Sequence, residues 1–223
     1  MSYRVSVLMF LCTAVLQVFV AAQSQIFVPL KFAFPDSILA TPKTYVYKNV
    51  VSGALRYRDV SLIRKGNEVI IHWKEYDKSQ LADSSTEING KSFERFMMID
   101  GQATKATITE DSVYQNDTRY GERVQTLFYN LSSTISLFET VHSIFLKDTT
   151  ISWHDKPISC VVTESFYRQK LGNSLFPDRS KEVTGVLYHY FGKDVGLLMY
   201  RSEMDNEKST WILFNIRERN QSN

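Results

Sequence analysis

The chain has 223 residues and a formal net charge of +2, with 26 Lys and Arg against 24 Asp and Glu. Charges this balanced and this interspersed exclude the basic footprint of a nucleic-acid binder. With two cysteines in the whole chain, one of them in the N-terminal apolar run, disulfides do not staple the fold. It must rest on apolar burial, for which a single domain of this length suffices.

Residues 1–22 predict a signal peptide. Arg4 gives a short basic start, and Val5 to Ala22 is apolar except for Ser6, Thr13 and Gln17. Val20-Ala21-Ala22 sets small residues where signal peptidase cuts, so cleavage is expected near Ala22, releasing a secreted or periplasmic protein. A retained membrane anchor is the alternative, since the apolar run approaches spanning length; membrane contact is expected only in that case. A lipid anchor on Cys12 fits badly, because Met9-Phe10-Leu11 lacks small residues before the cysteine.

Residues 23–43 read as an extended arm, its prolines at 29, 35 and 42 preventing a continuous helix. From there residues 44–218 form one β-rich domain, with 219–223 a disordered tail. "TYVYKNV" is rich in β-branched and aromatic residues, as strands are. In "DVSLIRKGNEVIIHWKEY" apolar and polar residues alternate on both sides of Lys65-Gly66-Asn67, which predicts a hairpin. "FERFMMIDGQATKATI" repeats the pattern around Asp100-Gly101, and "TTISWHDKPISCVVTESF" around His154-Asp155-Lys156. "RVQTLFYNL" is a further strand, and "STWILFNI" follows a turn at Asp205-Asn206.

One segment carries a different period. Leu131, Ile135, Phe138, Val141 and Phe145 recur at intervals of three and four, and Ser132, Ser133 and Thr134 offer N-cap oxygens. A helix is expected over about 131–146, with a second helical piece around Lys74 to Leu81. Several strands carry apolar residues on both sides, Leu197 and Met199 against Leu198 and Tyr200 for example, so something must cover the second face. The expected fold is mainly β: a curved antiparallel sheet or open barrel, covered by the helix and the arm.

Chemistry is sparse. Gly192-Lys193 precedes Gly196 and a strand, whereas a phosphate loop needs G-x-x-x-x-G-K-[ST] between a strand and a helix, so the glycines are read as a tight connection. His72, His142, His154 and His189 show no metal-ligand spacing. No G-x-S-x-G elbow is present, and the carboxylate neighbours Glu110-Asp111 are expected to face solvent. Cys160, beside Val161-Val162, reads as a small buried hydrophobe. Asn116-Asp117-Thr118, Asn130-Leu131-Ser132 and Asn220-Gln221-Ser222 match the glycosylation pattern. The strand aromatics read first as core; as an alternative, Trp73, Tyr188, Tyr190 and Trp211 line a cavity for an apolar guest.

"TYVYKNVVSGALRYRDVSL" and "YHYFGKDVGLLMYRSE", with its aromatic–Gly–x–x–Val–Gly–Leu turn, carry a resemblance. Together they look like bacterial secreted proteins of unknown function, which are in turn similar to the LolA and LolB lipoprotein carriers. That resemblance implies an incomplete antiparallel barrel with helical cover over an apolar cavity. No acyl-binding residue carries over, so it bears on fold more than function.

The sequence therefore predicts an exported, non-enzymatic binding protein with an open β-barrel that holds a lipid or other apolar small molecule. No cofactor and no nucleic acid are expected, and an envelope protein is the candidate macromolecular partner. The alternatives are a secreted or surface interaction module with a solid core, and a hydrolase assembled from distant residues, His72, His189 and Glu75 first among them.

Overall fold

The structure, a computed structural model, describes residues 28, 32, 38, 41–78, 80–99, 101–114, 121–205 and 207–219. Its wall runs β1 (Lys43–Asn49), β2 (Leu55–Lys65), β3 (Glu68–Asp77), β4 (Gln80–Ile88), β5 (Lys91–Ile99), β6 (Gln102–Tyr114), β7 (Glu122–Asn130), β8 (Ile135–Trp153), β9 (Lys156–Asn173), β10 (Lys181–Gly192), β11 (Gly196–Met204) and β12 (Glu207–Glu218). Each strand pairs antiparallel with the next in sequence, and β1 closes against β12, Lys43 opposite Glu218. The sheet is thus a closed meander, not the open or incomplete barrel expected. Local alternation cannot reveal that the first and last strands meet. Register shifts at Val46/Tyr47, Glu75/Tyr76, Thr86/Glu87, Ile108/Glu110, Phe145/Lys147 and Tyr190/Phe191 add the local bends that closure needs.

The predicted turns fall where their chemistry put them. Gly66 and Gly101 take φ of +61° and +78°, in the left-handed region that glycine enters without a Cβ penalty. His154 and Asp155 both turn with positive φ ahead of β9. Lys193 to Val195 connects β10 to β11, and Val195 N–H donates to the Gly192 carbonyl at 3.1 Å.

Where a helix is expected over 131–146, β8 begins at Ile135, and Lys74 to Leu81 holds the end of β3 and the start of β4. Ser132 caps no helix: its Oγ accepts from the backbone N–H groups of Thr134 and Ile135 and closes the tight β7–β8 connection. The misleading period has a physical origin. On β8 the inward line passes through Leu137, Glu139, Val141 and Ser143, while Phe138 lies on the outer face, 43% exposed. Polar residues inside and an aromatic outside erase the alternation of two, and what remains resembles three and four.

Three clusters of buried apolar residues pack against the wall. The largest joins Ile38, Tyr45, Tyr47, Leu62, Ile71 and Leu213, with Cys160 among them. The β8–β9 hairpin closes over it. Beyond the Phe145/Lys147 shift, Ile151, Trp153 and Ile158 pack on this cluster, and Trp153 Nε1 donates to the Leu213 carbonyl on β12 at 2.7 Å. A second cluster joins Val28 and Phe32 to Val161, and a third joins Ala106, Leu127, Tyr129 and Leu137. Of the arm, Val28, Phe32, Ile38 and residues 41–43 are described; the first three are buried, Phe32 and Ile38 with helical backbone. The leader over 1–22, with Cys12, and residues 220–223 lie outside the described residues.

Candidate functional site

A barrel's diameter grows with its strand number, and about eight strands already give an interior that side chains just fill. This wall has more, and its lumen keeps a cavity of about 410 Å³. Because side chains alternate along each strand, every other residue of the wall faces it. One part of the lining is apolar and aromatic: Tyr45, Tyr47, Val60, Trp73, Leu197 and Tyr200. Tyr45 Oη donates to the Val195 carbonyl at 3.0 Å and Tyr47 Oη to that of Leu197 at 2.9 Å, so β1 is bonded to β11 across the inside of β12. Burial raises both phenols well above their ordinary range and pushes Tyr200 up to about 12. Tyr200 stacks on Trp211, whose ring carries the Arg56 guanidinium 4.4 Å away.

The rest of the lining is charged. Glu75 accepts from Arg58 Nε at 2.9 Å and from its Nη2, and Arg56 stands 3.3 Å off. Burial alone would raise the Glu75 carboxyl; Arg58, by charge and by hydrogen bond, and then Arg56 outweigh it and hold the group below the usual carboxylate range. The Arg58 guanidinium lies over Trp73 at 5.0 Å and Tyr47 at 5.9 Å. Asp111 binds Arg123 at 2.8 and 2.9 Å and accepts from the Ser92 N–H at 2.6 Å. It is therefore the partner of a buried arginine within β6, not the solvent-facing loop carboxylate expected.

A third group comes from opposite walls. Arg95 of β5 pairs with Asp83 of β4. Glu139 of β8, 4% exposed, accepts from Tyr167 Oη of β9 at 3.0 Å. Burial lifts the Asp83 carboxyl to about 6, Arg95 pulling it down and Glu75 and Glu139 adding to the rise. Burial works against the Arg95 charge, and Asp83 and Glu139 together sustain it. One guanidinium thus serves two carboxylates, and neither is fully neutralised.

The residues proposed from sequence divide by strand parity. Trp73 lines the cavity, donating from Nε1 to Glu87 at 3.1 Å. Trp211 faces inward beside it, buried under Tyr200. Leu187, His189 and Phe191 are the lining residues of β10, so Tyr188 and Tyr190 fall on the other face of that strand. The same parity separates His72 from His189. His72 Nδ1 is 3.0 Å from Thr86 Oγ1 on the outer face, while His189 shares the lumen with Glu75. Burial, with Arg58 adding to it, pushes the His189 imidazole down to about 4. Cys160 is buried and its thiol is raised to about 11 by burial, the state of an unreactive thiol. Among the described residues no three His, Cys, Asp or Glu side chains stand close enough to share a metal ion. Of the lumenal charges, sequence reasoning singles out Glu75, for the hydrolase alternative, and misses the arginines and the other lining carboxylates. Their only sequence signal was Arg58, Asp83, Arg95, Arg123 and Glu139 at the parity of buried neighbours, which shows only once the inward face is known.

No protein-family model and no curated protein sequence matches the chain. Among solved structures it is similar to a candidate lipoprotein from Parabacteroides distasonis, at 14% identity over 83% of this chain and 98% of that one, with a TM-score of 0.51. A candidate exported protein with a YmcC-like fold from Bacteroides fragilis aligns at 10% identity over 84% of this chain and 99% of that one, with a TM-score of 0.49. The first likeness bears on the fold alone and the second adds no argument.

Proposed function

We propose that the protein is an exported, non-enzymatic binding protein that holds a lipid or other apolar molecule inside its closed barrel. The observation that carries this reading is the lumen itself, about 410 Å³ with Tyr45, Tyr47, Trp73 and Tyr200 on one side. A cavity of this size, with an aromatic part beside a charged one, has the dimensions of a small-molecule site. It favours a carrier over an interaction module with a solid core. The lumenal carboxylates Glu75 and Asp83 are engaged by arginines, and a histidine held neutral down to about pH 4 is a weak base; both speak for holding rather than converting a guest. Export is supported by the leader pattern of residues 1–22. Outward-facing pairs on the wall, Lys105 with Glu94 and Arg168 with Glu182, suit an outer surface in water. The test is to purify the protein from its native host and run mass spectrometry on an organic extract. A recurrent amphiphile at near-equal molar ratio is expected; an extract without one, from protein that also fails to take up added lipid, refutes the reading.

A further inference from the structure

The charged part of the lumen says which end-group the guest carries, on the premise that the barrel does hold a guest. Three arginines line the cavity, Arg58, Arg95 and Arg123, against four carboxylates, Glu75, Asp83, Glu87 and Glu139. Counting their ion-pair partners Arg56 and Asp111 leaves the acidic excess unchanged. His189 does not offset it, being neutral at physiological pH.

The excess is localised. Glu75 is met by two guanidinium groups and Asp111 by Arg123. Glu87 and Glu139 have neutral donors instead, Trp73 Nε1 and Tyr167 Oη. One buried oxygen beside Glu139, Asp83 Oδ1, has no hydrogen-bond partner in the protein. Tyr129 is fully buried behind it, its phenol raised by burial and by the Glu139 charge and lowered by the neighbouring Arg95. The two leftover buried donors, Nε of Arg56 and of Arg95, sit on guanidinium groups whose charge is already answered. They ask for a neutral acceptor, not for an anion. Glu139 and Asp83 share the one guanidinium of Arg95; a buried carboxylate only partly answered is costly, and a compact cation with several N–H donors would complete the balance.

We propose that the guest is an amphiphile whose polar end is a primary ammonium group, seated beside Glu139 and Asp83, with its apolar body against Tyr45, Tyr47, Val60 and Leu197. This orientation puts the cation on the β4–β8 side of the lumen and the chain under the aromatic side.

The test compares three probes with the same chain, decylammonium, decanol and decanoate, at pH 7. Binding to the full protein is read from tryptophan fluorescence, to which Trp73 in the lining contributes, and from calorimetry. Decylammonium should bind on the order of tenfold tighter than decanol, the worth of a hydrogen bond to a charged group, with decanoate weakest. Glu139→Gln should remove most of that preference, narrowing the gap between decylammonium and decanol to within about twofold. If E139Q does not fold, Asp83→Asn, which removes a charge from the same group, serves instead and should narrow the preference. Decanol or decanoate binding as tightly as decylammonium overturns the ammonium assignment while leaving the barrel as a carrier. A preference that survives in both variants overturns its placement at Glu139. Failure of all three probes to bind overturns the carrier reading, and this inference with it.

Discussion

Replacing Glu75 by Gln isolates what the charged lining contributes to the fold. The substitution keeps the size of the side chain and removes the negative charge that holds Arg58 and Arg56. Their side chains are 24% and 28% exposed, toward the lumen, while Glu75 is 13% exposed. Breaking a buried pair from one side costs about 3–5 kcal/mol, because a charge is left unanswered. Here the lumenal exposure and the rings of Trp73 and Tyr47 under Arg58 soften the loss, each ring by roughly 0.5–1 kcal/mol. A net loss of about 2–3 kcal/mol follows. In a chain of this size that lowers Tm by roughly 5–10 °C. Urea titration by circular dichroism reads the loss as a shift in midpoint at constant slope. Adding Arg58→Met to E75Q removes the stranded cation and should restore at least half of the lost stability. An E75Q protein within about 0.5 kcal/mol of the parent, or a double variant as unstable as the sum of the singles, would refute the view that these charges matter as a pair.

Other consequences are equally direct. His189 is pressed between Phe191, Tyr200 and Arg58 and held near pKa 4, against 6.5 in an unfolded chain. Between those values the unfolded chain binds more protons, so this stabilisation is complete above about pH 6.5 and is lost as pH falls toward 4. His189→Gln should flatten that part of the stability profile, by at most about 3 kcal/mol; an unchanged profile would show that the imidazole is not buried neutral. At Gly185 an added Cβ would lie 2.5 Å from the Glu203 carbonyl oxygen and 3.0 Å from Met204 Cα, backbone that cannot yield without opening β10 from β11. Gly185→Ala should cost about 1–3 kcal/mol, whereas Gly172→Ala, which meets only the rotatable Ser136 Oγ at 3.3 Å, should be mild; equal effects would refute the β10–β11 register. Trp153→Phe keeps the packing but removes the donor to Leu213. It should cost about 1–2 kcal/mol and speed amide hydrogen exchange at the hairpin tip, and unchanged exchange there would show that the tip is not pinned.

Much of the wall was readable before any coordinates. Turns at Gly66, Gly101 and His154-Asp155 were placed because each needs a backbone that few residues tolerate, and that need is written in one or two adjacent letters. Strand identity came from β-branched and aromatic runs. Where reading failed, at 131–146 and at Lys74 to Leu81, the cause was an inside that is partly polar and an outside that is partly apolar. Glu139 and Ser143 face the lumen and Phe138 faces out, so the two-residue period is broken at polar lumen-facing positions. The same inversion put Tyr188 and Tyr190 on the candidate site when parity sends them to the other face.

Composition and local pattern thus determined that this chain is β-rich and segmented by specific turns, since each of those properties depends on neighbours a few residues apart. Only the tertiary structure decided that β1 meets β12, that the lumen remains open between them, and that Glu139 and Tyr167 face Asp83 and Arg95 across it. Those facts depend on strand count, accumulated bend and residues brought together from distant strands. The energy that links them is spread over the whole wall and is written in no single stretch of it.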